Sequence, residues 1–172
     1  MEKKESRQQI LTGSLLAVYL LVMTWIILFK MQSPFGPFYP FRSINLIPFY
    51  QSVVVNGRIE WSEIYGNILI FAPFGLYISM LKSSWSFLKK VIPIFSVSFF
   101  YEAMQFILAV GASDITDLIG NTFGGILGIA VYAIALRLLK TQRKTNAVLN
   151  TIALVGTLLT VALLAFLTVS NL

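Results

Sequence analysis

Apolar residues run along this chain in long unbroken stretches rather than in alternation. Five stand out, at residues 10–29, 64–81, 91–110, 118–139 and 148–169. About 20 consecutive apolar residues suffice for a helix to cross a bilayer. Lipid offers no partner to backbone N–H and C=O groups, so each stretch is predicted to be helical. The period-two alternation of a barrel strand is missing. Three stretches carry no charge; the one at 91–110 carries Glu102, and the one at 118–139 ends near Arg137. The first is too long for the apolar part of a signal peptide, and no small-x-small cleavage site follows Phe29, so it is read as a retained helix. The expected fold is all-α: a polytopic bundle of five transmembrane helices. It forms one membrane domain over residues 1–172, with its core at 10–140 and the fifth helix at 148–169.

Composition agrees with this pattern. The chain is 57% hydrophobic and 12% charged, half the charge of an ordinary soluble domain (about 25%). It has no Cys and no His, which excludes disulfides, Cys/His zinc sites and His-activated nucleophiles. No cofactor is implied. The net charge of +6 is unevenly spread. Lys3, Lys4, Arg7, Lys82, Lys89, Lys90, Arg137, Lys140, Arg143 and Lys144 fall on one side of a five-helix topology; only Lys30, Arg42 and Arg58 fall on the other. Positive residues favour the cytoplasmic side, so the N-terminus is expected inside and the C-terminus outside. The basicity is then a topology signal, and nucleic acid is not an expected partner.

The segment between the first two helices, residues 30–63, holds four of the six prolines and is dense in aromatics: Phe35, Phe38, Tyr39, Phe41, Phe49, Tyr50 and Trp61. Such residues suit a membrane interface. Residues 44–55 are too short to span, hence interfacial or re-entrant. The segment is expected to lie over the outer mouth of the bundle; an interfacial loop without a binding role is the alternative.

The embedded polar residues converge on one depth. Asn67 lies early in the second helix, Glu102 and Gln105 late in the third, and Asp114, Asp117 and Asn121 around the start of the fourth. With alternating helix directions all fall in the outer half. Glu102 and Gln105 are spaced i,i+3, and Asp117 and Asn121 i,i+4, so each pair shares a helix face. Gly111 is expected to end the third helix with a positive φ, and Ser113 or Asp114 to cap the fourth. Gly120, Gly124 and Gly128, with Gly125 beside them, form a small-residue stripe on which the second or third helix is expected to pack. Pro73 and Gly75 are expected to kink the second helix.

A carboxylate inside a membrane is costly. Glu102 has several open roles: sharing a proton with Asp114 or Asp117, helping to hold a divalent cation, and pairing with Arg42, Arg58 or a cationic ligand group. A hydrogen bond to Asn67 or Asn121 that merely locks the bundle is the structural alternative.

These residues carry a resemblance. The ordered set Asn67, Phe71, Pro73, Gly75; then Glu102, Gln105; then Asp114, Asp117, Asn121, Gly124, Gly125 resembles the VanZ-like family. An upstream block from Ser43 through Asn45 and Pro48 to Phe49 agrees with it. The likeness covers about residues 15–135. It implies a bacterial multi-pass cell-membrane protein, Gram-positive in type, conferring low-level resistance to teicoplanin and related lipoglycopeptides with little protection against vancomycin. The family's motif adds Asn45 to the candidate site.

Two functions follow as expectations. In the first, an outward acidic and aromatic pocket binds an amphipathic ligand, either a lipoglycopeptide antibiotic or a lipid-linked wall precursor, through Asn45, Asn67, Glu102, Gln105, Asp114, Asp117 and Asn121, with Arg42 and Arg58 from the loop. In the second, Asp114, Asp117 and Glu102 hold Mg²⁺ in an enzyme acting on a lipid-linked phosphate, with Arg42 or Arg58 on the phosphate. A transporter is disfavoured, because the five helices show no inverted repeat.

Overall fold

Each apolar stretch forms a helix in the computed structural model, which describes residues 2–29, 41–49, 54–55, 58–59 and 61–170. The order is α1 (Glu2–Phe29), β1 (Phe41–Asn45), β2 (Val54–Val55), β3 (Arg58–Ile59), α2 (Trp61–Leu81), α3 (Phe87–Leu108), β4 (Val110–Asp114), α4 (Ile115–Leu139) and α5 (Gln142–Ser170). All five helices are long and apolar enough to cross a membrane. α1 and α5 begin well before residues 10 and 148, because polar first turns can continue the backbone hydrogen-bond ladder beyond an apolar belt. Much of the 30–63 segment, including Phe35, Phe38, Tyr39 and Tyr50, lies outside the described residues.

The centre of the bundle is the α2–α4 pair. A Cβ placed on Gly124 would strike the Ile68 carbonyl, one on Gly128 the Ala72 carbonyl, and one on Gly75 the Gly125 carbonyl. Glycine is required here because backbone lies against backbone, the close approach that small-residue faces permit in lipid. The stripe therefore packs on the second helix, while Gly125 also meets Ile94 of α3. Pro73 sits inside a continuous α2. Met23, Phe71, Phe74, Ile94 and Tyr101 form the main apolar core beside this pair. α5 is peripheral: Leu158 and Leu159 are 62% and 67% exposed, as suits side chains facing acyl chains.

Among the described helices and the short turns that join them, the basic residues gather at one end. Gln8 reaches the Arg143 carbonyl (3.4 Å), and Asn146 donates to the Met80 carbonyl (3.4 Å). The starts of α1 and α5 thus lie beside the end of α2. At the same end Lys90 donates to the Ser83 carbonyl and lies over the Tyr132 ring.

The opposite end holds a feature that the apolar pattern did not predict. β1 pairs in parallel with β4, from Phe41 opposite Val110 to Asn45 opposite Asp114, and β2 pairs antiparallel with β3. The expected C-cap also moves. α3 ends at Ala109, not Gly111: Ala109 takes φ 56° and its N–H bonds the Gln105 and Phe106 carbonyls. Gly111 instead lies in β4, opposite Arg42. Ending the helix two residues earlier frees the backbone of 110–114 to receive β1.

Candidate functional site

Four pieces of chain meet at the end away from the basic residues. Asp114 closes β4 and caps α4. It is extended (φ −125°, ψ 128°), and its Oδ1 accepts the Thr116 N–H at 2.7 Å. This is the N-cap role open to Ser113 or Asp114. Its Oδ2 accepts from the Asn45 side chain at 2.9 Å, so one carboxylate joins β1 to α4. Asn45 Oδ1 in turn accepts the Ile47 N–H at 3.2 Å, and Thr116 Oγ1 accepts the Phe49 N–H at 3.0 Å. The strand and the turn after it are thereby fastened to the helix start.

Glu102 is less than two turns from the end of α3 and 6% exposed. Its Oε2 accepts the Asp114 backbone N–H at 2.8 Å, and its own carbonyl accepts from Ser113 Oγ at 3.1 Å. The hairpin between α3 and α4 is thus closed through both ends of one residue. One turn on, Gln105 donates to the Ile27 carbonyl at 3.1 Å, bringing in α1. Asn121, 1% exposed, donates to Ser98 Oγ at 3.0 Å. Asp117 is half-buried in the first turn of α4.

Asn45, Asn67, Glu102, Gln105, Asp114, Asp117 and Asn121 all line one cavity of about 670 Å³, within the range of ligand pockets. Three of them keep a buried polar atom without a partner: Asn67 Nδ2, Gln105 Oε1 and Asn121 Oδ1. Buried polar groups are nearly always hydrogen-bonded, so three such atoms around one void mark a place where a ligand or water supplies bonds.

The two arginines stand differently. Arg42 is exposed; it donates to the Ile107 carbonyl at 3.1 Å, lies 5.8 Å from the Phe106 ring, and is not among the lining residues. Arg58 is in β3, and its side chain lies outside the described residues. Among the described residues no Lys or Arg lines the cavity, and no group of three acids stands close enough to hold a metal ion.

Glu63, Ser43 and Ser98 were not singled out from sequence. Glu63 and Ser43 line the cavity, and Ser98 holds Asn121. Spacing could have found two of them: Glu63 and Asn67 are i,i+4, and Ser98, Glu102 and Gln105 continue one face.

The VanZ/LLP1 family model matches residues 16–140, and the chain belongs to that family. It is similar to Protein VanZ from Enterococcus faecium, with 40% identity over 92% of this chain and 93% of the relative. No solved structure matches it.

Proposed function

We propose that this chain is a binding protein of the bacterial cell membrane, linked as a VanZ-family member to teicoplanin resistance, and that it takes up an amphipathic ligand at the acid-lined cavity. The candidate ligands are the lipoglycopeptide itself and a lipid-linked wall precursor. One observation carries the reading: seven polar residues from five elements line one cavity and leave buried amide atoms unbonded around it. Glu63, Glu102, Asp114 and Asp117 give the lining acidic character, with no Lys or Arg beside them among the described residues. A headgroup rich in amines or hydroxyl donors suits such walls.

The charge bias supports a cavity on the outer face of the membrane, and the Enterococcus relative supports a Gram-positive type; such ligands are found on that face. The reading of a Mg²⁺ enzyme acting on a lipid-linked phosphate has less support. Arg42, the expected phosphate partner, bonds the Ile107 carbonyl and is not among the lining residues.

The test is crosslinking in living cells from a photoreactive amino acid at Ala112, a half-buried lining position. An adduct containing teicoplanin or a lipid-linked saccharide supports the reading. Adducts confined to other segments of this chain contradict it.

A further inference from the structure

A second cavity, of about 410 Å³, opens between α1, α2 and α5. Its walls are nearly all apolar: Met23 from α1, Leu69, Pro73 and Leu76 from α2, and Leu149 and Ala153 from α5 are typical. It adjoins the acidic cavity: Ile26 and Ile70 line both. Its extent along α2 is set by Leu69 and Met80, eleven residues apart. At 1.5 Å per residue that is about 16 Å, roughly half of a 30 Å hydrocarbon core. The acidic cavity at one end of the bundle therefore has an apolar cleft about one leaflet deep directly beside it.

We propose that this cleft is the seat of a single long alkyl chain, belonging to an amphiphile whose amine- or hydroxyl-bearing head lies among Glu63, Glu102 and Asp117. The inference rests on the binding function proposed above and adds where the apolar part goes. Adjacency at Ile26 and Ile70 selects the occupant: a head held in the acidic cavity has this apolar cleft as the nearest seat for its chain. Acid walls with no lining Lys or Arg among the described residues favour a donor-rich or cationic head over an anionic one. Room for the chain is visible at Gly156 of α5, which lines the cleft and would meet nothing within 4 Å if given a Cβ. A larger side chain at that position has open space at its Cβ and takes up room in the cleft. Gly13 of α1 is similarly open but is not among the cleft residues, which makes it a control.

The experiment uses the full chain in phospholipid nanodiscs and two photoactivatable probes. One is a hexadecylamine with a diazirine near the chain end; the other is the same chain without the amine. Labelled residues are mapped by mass spectrometry. The amine probe is expected to label the α2 and α5 walls between Leu69 and Thr160 more than the headless probe does. Gly156→Leu is expected to lower that labelling about tenfold, the loss when roughly two methylene groups are kept out of apolar surroundings. Gly13→Leu is expected to leave it unchanged, and Asp117→Asn to lower it toward the headless level. Equal labelling by both probes, unaffected by Asp117→Asn, overturns the inference and shows a groove for bulk lipid. Full labelling in Gly156→Leu overturns it as well. Either outcome leaves the acidic cavity's role to be judged separately, by crosslinking from Ala112.

Discussion

The backbone N–H of Asp114 donates to the carboxylate of Glu102 at 2.8 Å, across a hairpin that turns between two membrane helices. Asp114 then uses its own carboxylate to cap α4 and to hold Asn45. A charged residue within an apolar helix thus fixes the start of the next helix, and that helix fixes the strand beside it. Removing the acceptor is expected to leave a buried donor unpaired, at a cost of about 1–3 kcal/mol. Glu102→Ala should therefore lower the thermal midpoint of the detergent-purified protein. Glu102→Gln keeps an acceptor oxygen and should unfold close to wild type while losing ligand. Fluorescence-monitored thermal unfolding distinguishes the two.

Asn45 and Asp114 should be energetically coupled. They share one hydrogen bond, and Asp114 carries the cap besides. Asn45→Ala and Asp114→Ala are each expected to destabilise, Asp114→Ala more, since loss of a cap alone costs about 0.5–2 kcal/mol. The double variant should fall short of the sum by about 0.5–3 kcal/mol. Strict additivity in denaturant unfolding would mean that the strand is not fastened through this pair.

The glycine stripe makes a graded prediction. Gly128→Ala drives a methyl group into the Ala72 carbonyl, whereas at Gly120 the nearest atom to a new Cβ is Asn67 Cβ at 3.6 Å, an ordinary contact. Gly128→Ala should cost about 1–3 kcal/mol from overpacking and reduce the folded yield in membranes. Gly120→Ala should be near neutral. Equal yields from both would show that α2 and α4 do not pack as closely as described.

The charge distribution predicts which side of the membrane the site faces. A reporter fused after Leu172 should be accessible from outside the cell, and one placed in the loop around Ser84 should be protected. Reversed accessibility would put the acidic cavity on the cytoplasmic face and remove its access to external antibiotic.

How far the sequence reached differs between helices and turns. Apolar runs without charge have no alternative in lipid, so five helices were legible. The gathering of Glu102, Gln105, Asp114, Asp117 and Asn121 at one end of the bundle was legible too, because alternating helix directions bring positions near the same helix ends together. The strand pair was not, since β1 and β4 are more than sixty residues apart and only five residues long each. The end of α3 was misplaced because Gly111 is the obvious residue for a positive φ, yet Ala109 adopts it and glycine serves in the strand. Arg42 was expected at the acids because opposite charges attract. A backbone carbonyl and the Phe106 ring hold it outside the cavity instead.

The central claim is that the acids around the cavity bind the ligand rather than only hold helices together. It is tested most directly by teicoplanin susceptibility of cells carrying Asp117→Asn or Glu102→Gln, at membrane abundance matched to wild type by immunoblot. Both variants are expected to lose most of the protection. Full protection in both would contradict the account.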